Sequence, residues 1–170
     1  MGRALAQELF RCDPRVVASL VLCDTYAGWL GSLGEGESAQ RLDRCVEDSE
    51  LPPQTLADRW VPQLFSSEIR ELHREMAPIV AEFHPAGFRG MATSLANADT
   101  TDLLTTIAVP TLLLWGSDDR RSPLFVAEQF MTLVPDARSH VLQGAGHVSN
   151  LENPDDFNAQ VRTFCGGAPT

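Results

Sequence analysis

The sequence predicts an α/β protein in which parallel strands carry flanking helices and a helical block interrupts the sheet. Three observations carry this. Short apolar runs, "VVASLVLC" (16–23) and "TLLLW" within "IAVPTLLLWGSDD" (107–119), have the length and composition of strands buried in a parallel sheet. From 107 onward, strand and helix patterns alternate as βαβα, which implies parallel strands joined by helical crossovers. Between the two apolar runs, from about Glu37 to Asn97, the periodicity is helical throughout and no strand pattern intervenes.

In chain order, residues 3–11 form an amphipathic helix with Ala4, Leu5, Leu9 and Phe10 on one face, ended by Asp13-Pro14 because proline cannot continue the backbone pattern. The strand at 16–23 follows directly. "AGWLGSLGEGE" (27–37), with its four glycines, is expected to break regular structure. The helical block is cut into short pieces at "LPP" (51–53), "WVP" (60–62) and "HPAG" (84–87). After the strand in 107–119 come a helix at 122–134, a strand "RSHVLQ" (138–143), a loop "GAGHVSN" and a helix at 154–165. The division expected is 1–30, core helix and strand; 31–106, helical cap; and 107–170, core βαβα.

Composition narrows the functions. The 170 residues are 44% hydrophobic and 21% charged, which suits one soluble domain with a sizeable core. Thirteen arginines and no lysine stand against 23 acids, giving a net charge of -10 that disfavours nucleic acid and anionic membranes as partners. No apolar run reaches the length of a membrane span. The cysteines, Cys12, Cys23, Cys45 and Cys165, lack metal-like spacing, so reduced thiols in a cytoplasm are expected, with no metal and no cofactor.

In an open α/β sheet, ligands bind beyond the carboxyl ends of the strands. Three loops leave strands there: "DTYAGW", "GSDDRRSP" and "GAGHVSN". Asp118, Asp119 and His147 are thus expected on one rim, where a carboxylate accepting from one ring nitrogen leaves the other to move protons. Each has a plainer reading. The two aspartates can serve as turn polarity before a helix with Ser122 as N-cap and Pro123 in its first turn. A histidine in a glycine-rich loop can be structural. His140, at or before the start of its strand, is expected near the opposite end of the sheet, and His73 and His84 lie in the helical block.

"VPTLLLWGSDDRRSP" and, about 25 residues on, "GAGHVSNLENPDDFN" together resemble the acid and histidine loops of the α/β-hydrolase superfamily. "VASLVLCDT" resembles a further strand of that family, and the helical block falls where the family inserts its cap. The resemblance covers essentially the whole chain and implies Asp119 as catalytic acid and His147 as catalytic base. Asp118 is then a neighbour. "AEFHPAGFRGMATSLANADTTDLL" is most similar to the 3-oxoadipate enol-lactonase branch, whose substrates are small carboxylated lactones. Substrate contacts are accordingly expected from Trp29, Arg59, His84, Arg89 and Val148, with Arg59 or Arg89 able to grip a carboxylate bidentately unless they are ordinary surface arginines.

The family also demands a serine in G-x-S-x-G on a strand-to-helix turn. The sequence contains none; "GSLG" (31–34) is one residue short. Set against the family pattern, "ALAQEL" follows the missing serine, and Met1 takes the position whose N–H helps form the oxyanion hole. The expectation is the C-terminal part of an α/β-hydrolase fold, with the early strands and the nucleophile absent, inactive alone, and of unstated oligomeric state. The parent enzyme would hydrolyse a small-molecule ester or lactone by a Ser-Asp-His mechanism. The alternatives are a non-catalytic remnant or interaction module, or the same fold with other chemistry: carbon–carbon hydrolysis, dehalogenation or perhydrolysis.

Overall fold

The computed structural model describes residues 2–67 and 69–166, with side chains from Leu5 onward; Met1 lies outside the described residues. Three parallel strands, β1 (Leu20–Cys23), β2 (Thr111–Gly116) and β3 (Ala137–Leu142), form a sheet in the order β1-β2-β3. Thr111 is the register point shared by Leu20 and Ala137, so all three strands run toward one rim. The central strand is buried at every position, as its unbroken apolar run requires. One layer of core packs Leu22, Leu113 and Trp115 against Phe10, Val126 and Phe130; the other packs Leu112, Leu114 and Leu142 near Phe157 and Val161. Each such side chain contributes about 1.5–3 kcal/mol by leaving water.

α1 (Gly2–Cys12) precedes β1 and α2 (Gly28–Asp48) follows it. Then come α3 (Pro53–Trp60), α4 (Arg70–Ala81), α5 (Pro85–Asn97) and the single turn α6 (Thr101–Leu104), with no strand among the described residues between β1 and β2. α7 (Leu124–Leu133) joins β2 to β3, and α8 (Ser149–Glu152) and α9 (Pro154–Gly166) end the described chain. The block breaks near 51–53 and 84–87 as expected, and there Pro53 and Pro85 take the first turns of α3 and α5, where their missing N–H costs nothing.

Several expectations are corrected. The strand expected over 16–23 is only Leu20–Cys23, because Asp13 caps a 3₁₀ turn at Pro14–Val16 by accepting from the Arg15 N–H; Val16 is exposed. β1 is also not buried on both faces, since Val21 and Cys23 alternate as half-buried. The inward face of α1 is not its Leu5 and Leu9 stripe, which is exposed, but Phe10 and the fully buried Gln7. Gln7 donates to the Tyr26 carbonyl at 2.9 Å and accepts from the Thr100 hydroxyl at 2.6 Å, bonds that turn this face inward.

The glycine-rich stretch is helical from Gly28, and only Gly34, at φ +81°, kinks it. α2 holds because Trp29 and Cys45 pack against Phe88, Ala92 and Ala96 of α5, a tertiary gain that overrides the weak helix propensity of glycine. At α7, Pro123 and not Ser122 takes the N-cap position. The "GAGHVSN" loop ends early, since α8 starts at Ser149. His140 is the fourth of six residues in β3 and sits opposite Asp156 of α9, its Nε2 at 2.8 Å from Oδ2, which makes it a strand-to-helix tie.

Candidate active site

Asp119 and His147 meet where the turns after β2 and β3 cross. The Asp119 side chain is fully buried; Oδ2 lies 2.8 Å from His147 Nδ1, and Oδ1 accepts from the backbone N–H groups of Arg121 (2.8 Å) and Ser122 (2.9 Å). Asp119 therefore both ties down the turn into α7 and orients the imidazole. A carboxylate only accepts, so the shared proton sits on Nδ1 and the tautomer is set. Asp118 is exposed and acts through its backbone instead, where its N–H donates to the Ala145 carbonyl at 2.9 Å and pins the histidine loop.

Two further clasps hold this crossing. Gly116 approaches so closely that a Cβ there would lie 2.3 Å from the carbonyl oxygens of both Ala145 and Gly146. Asp24, at the end of β1, is buried in the left-handed region at φ +44°, where aspartate is among the tolerated residues. Its Oδ1 accepts from Gly116 N–H at 2.8 Å and its Oδ2 from Ser149 Oγ at 2.6 Å, so one carboxylate clasps the acid strand and the helix after the histidine. From the helical block, the Leu64 carbonyl accepts from Val148 N–H, and Glu152 accepts from Gly146 N–H and from Ser66.

His147 opens onto a cavity of about 260 Å³ between the sheet rim and the helical block, lined mainly by Trp29, Trp60, Met76, Phe83, Phe88 and Met91, with Tyr26 and Arg121 at its polar side. Burial pushes the Tyr26 phenol above the ordinary tyrosine range, and the charge of Arg41, which donates to its hydroxyl at 2.8 Å, pulls part of the way back. A mostly apolar chamber with a few converging polar groups is the usual form of a small-molecule site.

The other residues singled out from sequence fare differently. Trp29 lines the cavity. Arg59 is held by Asp48 and lines a neighbouring cleft, not this cavity. Arg89 is held by Glu50 at 2.7 Å and Ser49 at 3.1 Å, and His84 is exposed at the N-cap of α5; neither lines the cavity. Val148 packs with the cluster around Phe65 and Val80 beside it. The Met1 position lies outside the described residues. Sequence reasoning missed Asp24, Tyr26 and Arg121. An aspartate directly after an apolar strand is a signal for the first; the other two are marked only by their place in rim loops, Tyr26 in "DTYAGW" and Arg121 in "GSDDRRSP".

Among the described residues, no group of three or more His, Cys, Asp or Glu side chains is arranged to hold a metal ion, and no helix is long and apolar enough to cross a membrane. The description "Alpha/beta hydrolase family" matches the sequence over residues 2–160. The chain belongs to the alpha/beta hydrolase family. Among its alpha/beta hydrolase relatives, the 3-oxoadipate enol-lactonase 2 of Acinetobacter baylyi is 26% identical over 163 residues, 95% of this chain and 59% of the relative. A 2-hydroxy-6-oxononadienedioate/2-hydroxy-6-oxononatrienedioate hydrolase of a Pseudomonas species is 28% identical over 135 residues, 79% of this chain and 44% of the relative. In three dimensions, the malate-bound thermophilic esterase of Thermogutta terrifontis superimposes with a TM-score of 0.85 at 26% identity, covering 99% of this chain and 63% of that one. This alpha/beta hydrolase chain thus spans about half the length of the curated relatives it matches, 44% and 59%.

Proposed function

We propose that this chain supplies the acid and base of a hydrolase that cleaves an ester or lactone, with residues 31–106 acting as a cap over the site. The observation that carries the reading is the 2.8 Å bond from Asp119 to His147 at the mouth of an apolar cavity. A serine attacks the carbonyl, His147 takes its proton through Nε2 and returns it to the leaving oxygen, and Asp119 holds the ring and stabilises the imidazolium. The 170 residues contain no G-x-S-x-G, so the serine comes from sequence outside them, and the N–H at the Met1 position helps hold the oxyanion. Alone, an acid and base without nucleophile do little hydrolysis, since these groups act as a unit.

The enol-lactonase relative and the esterase neighbour support the oxygen-ester reading. The 2-hydroxy-6-oxononadienedioate hydrolase relative favours a second one, carbon–carbon bond hydrolysis by the same pair. Two experiments test the proposal. Translating the DNA upstream of Met1 in frame should give a strand-rich segment ending in G-x-S, and a stop codon directly upstream contradicts it. The 170-residue chain should take no activity-dependent label from a serine-directed fluorophosphonate; robust labelling that vanishes in His147→Ala would place the nucleophile inside the chain.

A further inference from the structure

Five arginines line the cleft of about 370 Å³ beside the apolar cavity, Arg41, Arg44, Arg59, Arg120 and Arg121, against three acids, Glu37, Glu47 and Asp48. That local excess of positive charge occurs in a chain whose net charge is -10. Most of the arginines are accounted for. Glu37 accepts from Arg41 at 2.9 Å and lies 3.3 Å from Arg44; Asp48 takes Arg59 and the Trp60 indole N–H. Arg120 is exposed.

Arg121 is different. Its guanidinium carbon sits over the Trp60 ring, 4.3 Å from the centroid, and no carboxylate among the described residues comes within ion-pair distance of the side chain. It lines both chambers, so it stands at the junction between the cavity that holds His147 and the arginine-lined cleft. Burial pulls its pKa below the ordinary arginine value, and the nearby Tyr26 and Asp119 offset only part of that loss of water. Its backbone is fixed at both ends of the residue: the N–H donates to Asp119 at 2.8 Å, and the carbonyl accepts from Arg41 at 2.9 Å. The loop that aims His147 therefore also aims this cation.

We infer that Arg121 is a specificity-determining residue, whose guanidinium receives a carboxylate on the ligand while the apolar remainder fills the cavity beside His147. A desolvated cation in a cavity wall is costly until an anion pairs with it, and a guanidinium presents a planar fork that matches a carboxylate. Trp60 supports the guanidinium through a cation–π contact. This moves the anion-binding role away from Arg59 and Arg89, which already hold acids of their own. The inference rests on the reading that this cavity receives substrate, but it does not rest on proton transfer.

Binding of hexanoate and of its neutral counterpart hexanamide to the 170-residue chain, followed calorimetrically, tests it without any need for turnover. Hexanoate should bind about tenfold tighter than hexanamide, the preference given by one charge-assisted pair. Arg121→Leu should remove that preference while hexanamide binding persists, which also reports that the variant is folded; Arg121→Lys should restore part of it. Arg89→Ala should change nothing, and His147→Ala should keep the preference. Equal binding of the two probes, a preference that survives Arg121→Leu, or no hexanoate binding below about 10 mM overturns the inference. If the preference follows Arg121 but the extended protein proves unable to hydrolyse esters or lactones, the hydrolase proposal alone fails.

Discussion

Substituting Gly116 by alanine perturbs the crossing on which the site depends. A Cβ there would meet the Ala145 and Gly146 carbonyl oxygens at 2.3 Å, where ordinary contact begins at 3.4 Å. Both obstacles are backbone, so no side chain can swing away, and the two loops must part by about 1 Å. The same movement strains the Asp118 N–H bond to Ala145 and the Asp24 bond to Gly116 itself. Overpacking of this kind costs about 1–3 kcal/mol, and two rigid contacts place Gly116→Ala at about 3 kcal/mol. With a urea m-value of about 2 kcal/mol/M, the unfolding midpoint should fall by about 1.5 M. Gly90→Ala is the control: Gly90 is in α5 with nothing within 4 Å of a new Cβ. There the change should be neutral or stabilising by up to about 1 kcal/mol. NMR adds a local readout, since the His147 Nδ1 proton held by Asp119 should exchange faster in Gly116→Ala. A Gly116→Ala midpoint no lower than that of Gly90→Ala would refute the reasoning.

Two other outcomes follow from the same geometry. Asp24→Ala leaves the Gly116 N–H and Ser149 hydroxyl without their acceptor, and urea unfolding should show a loss of about 3–5 kcal/mol, with Asp24→Asn costing less because one acceptor oxygen remains. Tyr26 is the sole tyrosine in the sequence, so tyrosinate absorbance reports it alone. Its titration in the folded protein should lie above the ordinary value of about 10 and return there in urea. Because the folded pKa is the higher one, Tyr26 contributes stability that is present below about pH 10 and lost as pH rises through the folded value; a folded titration at or below the urea value would contradict this.

What the sequence made legible was local. The unbroken run 111–115 marked the central strand, and the loop positions of Asp119 and His147 were enough to put both on one rim. The misreadings arose where distant partners decide. Leu5 and Leu9 looked inward by periodicity, yet Gln7, bonded to Tyr26 and to Thr100 93 positions away, sets the buried face. Glycine content hid the first half of α2, whose helix is held by α5. Asp24 matters through Gly116 and Ser149, 92 and 125 positions on, and Arg121 through Trp60. Arg59 and Arg89 failed as cavity candidates for the same reason, since their acids, Asp48 and Glu50, become visible as partners only in the fold.

The central claim, that Asp119 and His147 work as one proton-handling unit, is tested most directly by kcat/KM for an aryl ester in the protein translated in frame through this chain. His147→Ala should lower it by about 10³-fold or more, and adding Asp119→Ala should lower it little further, because the two act together. A His147→Ala loss below tenfold, or losses from the two substitutions that simply multiply, would contradict the account.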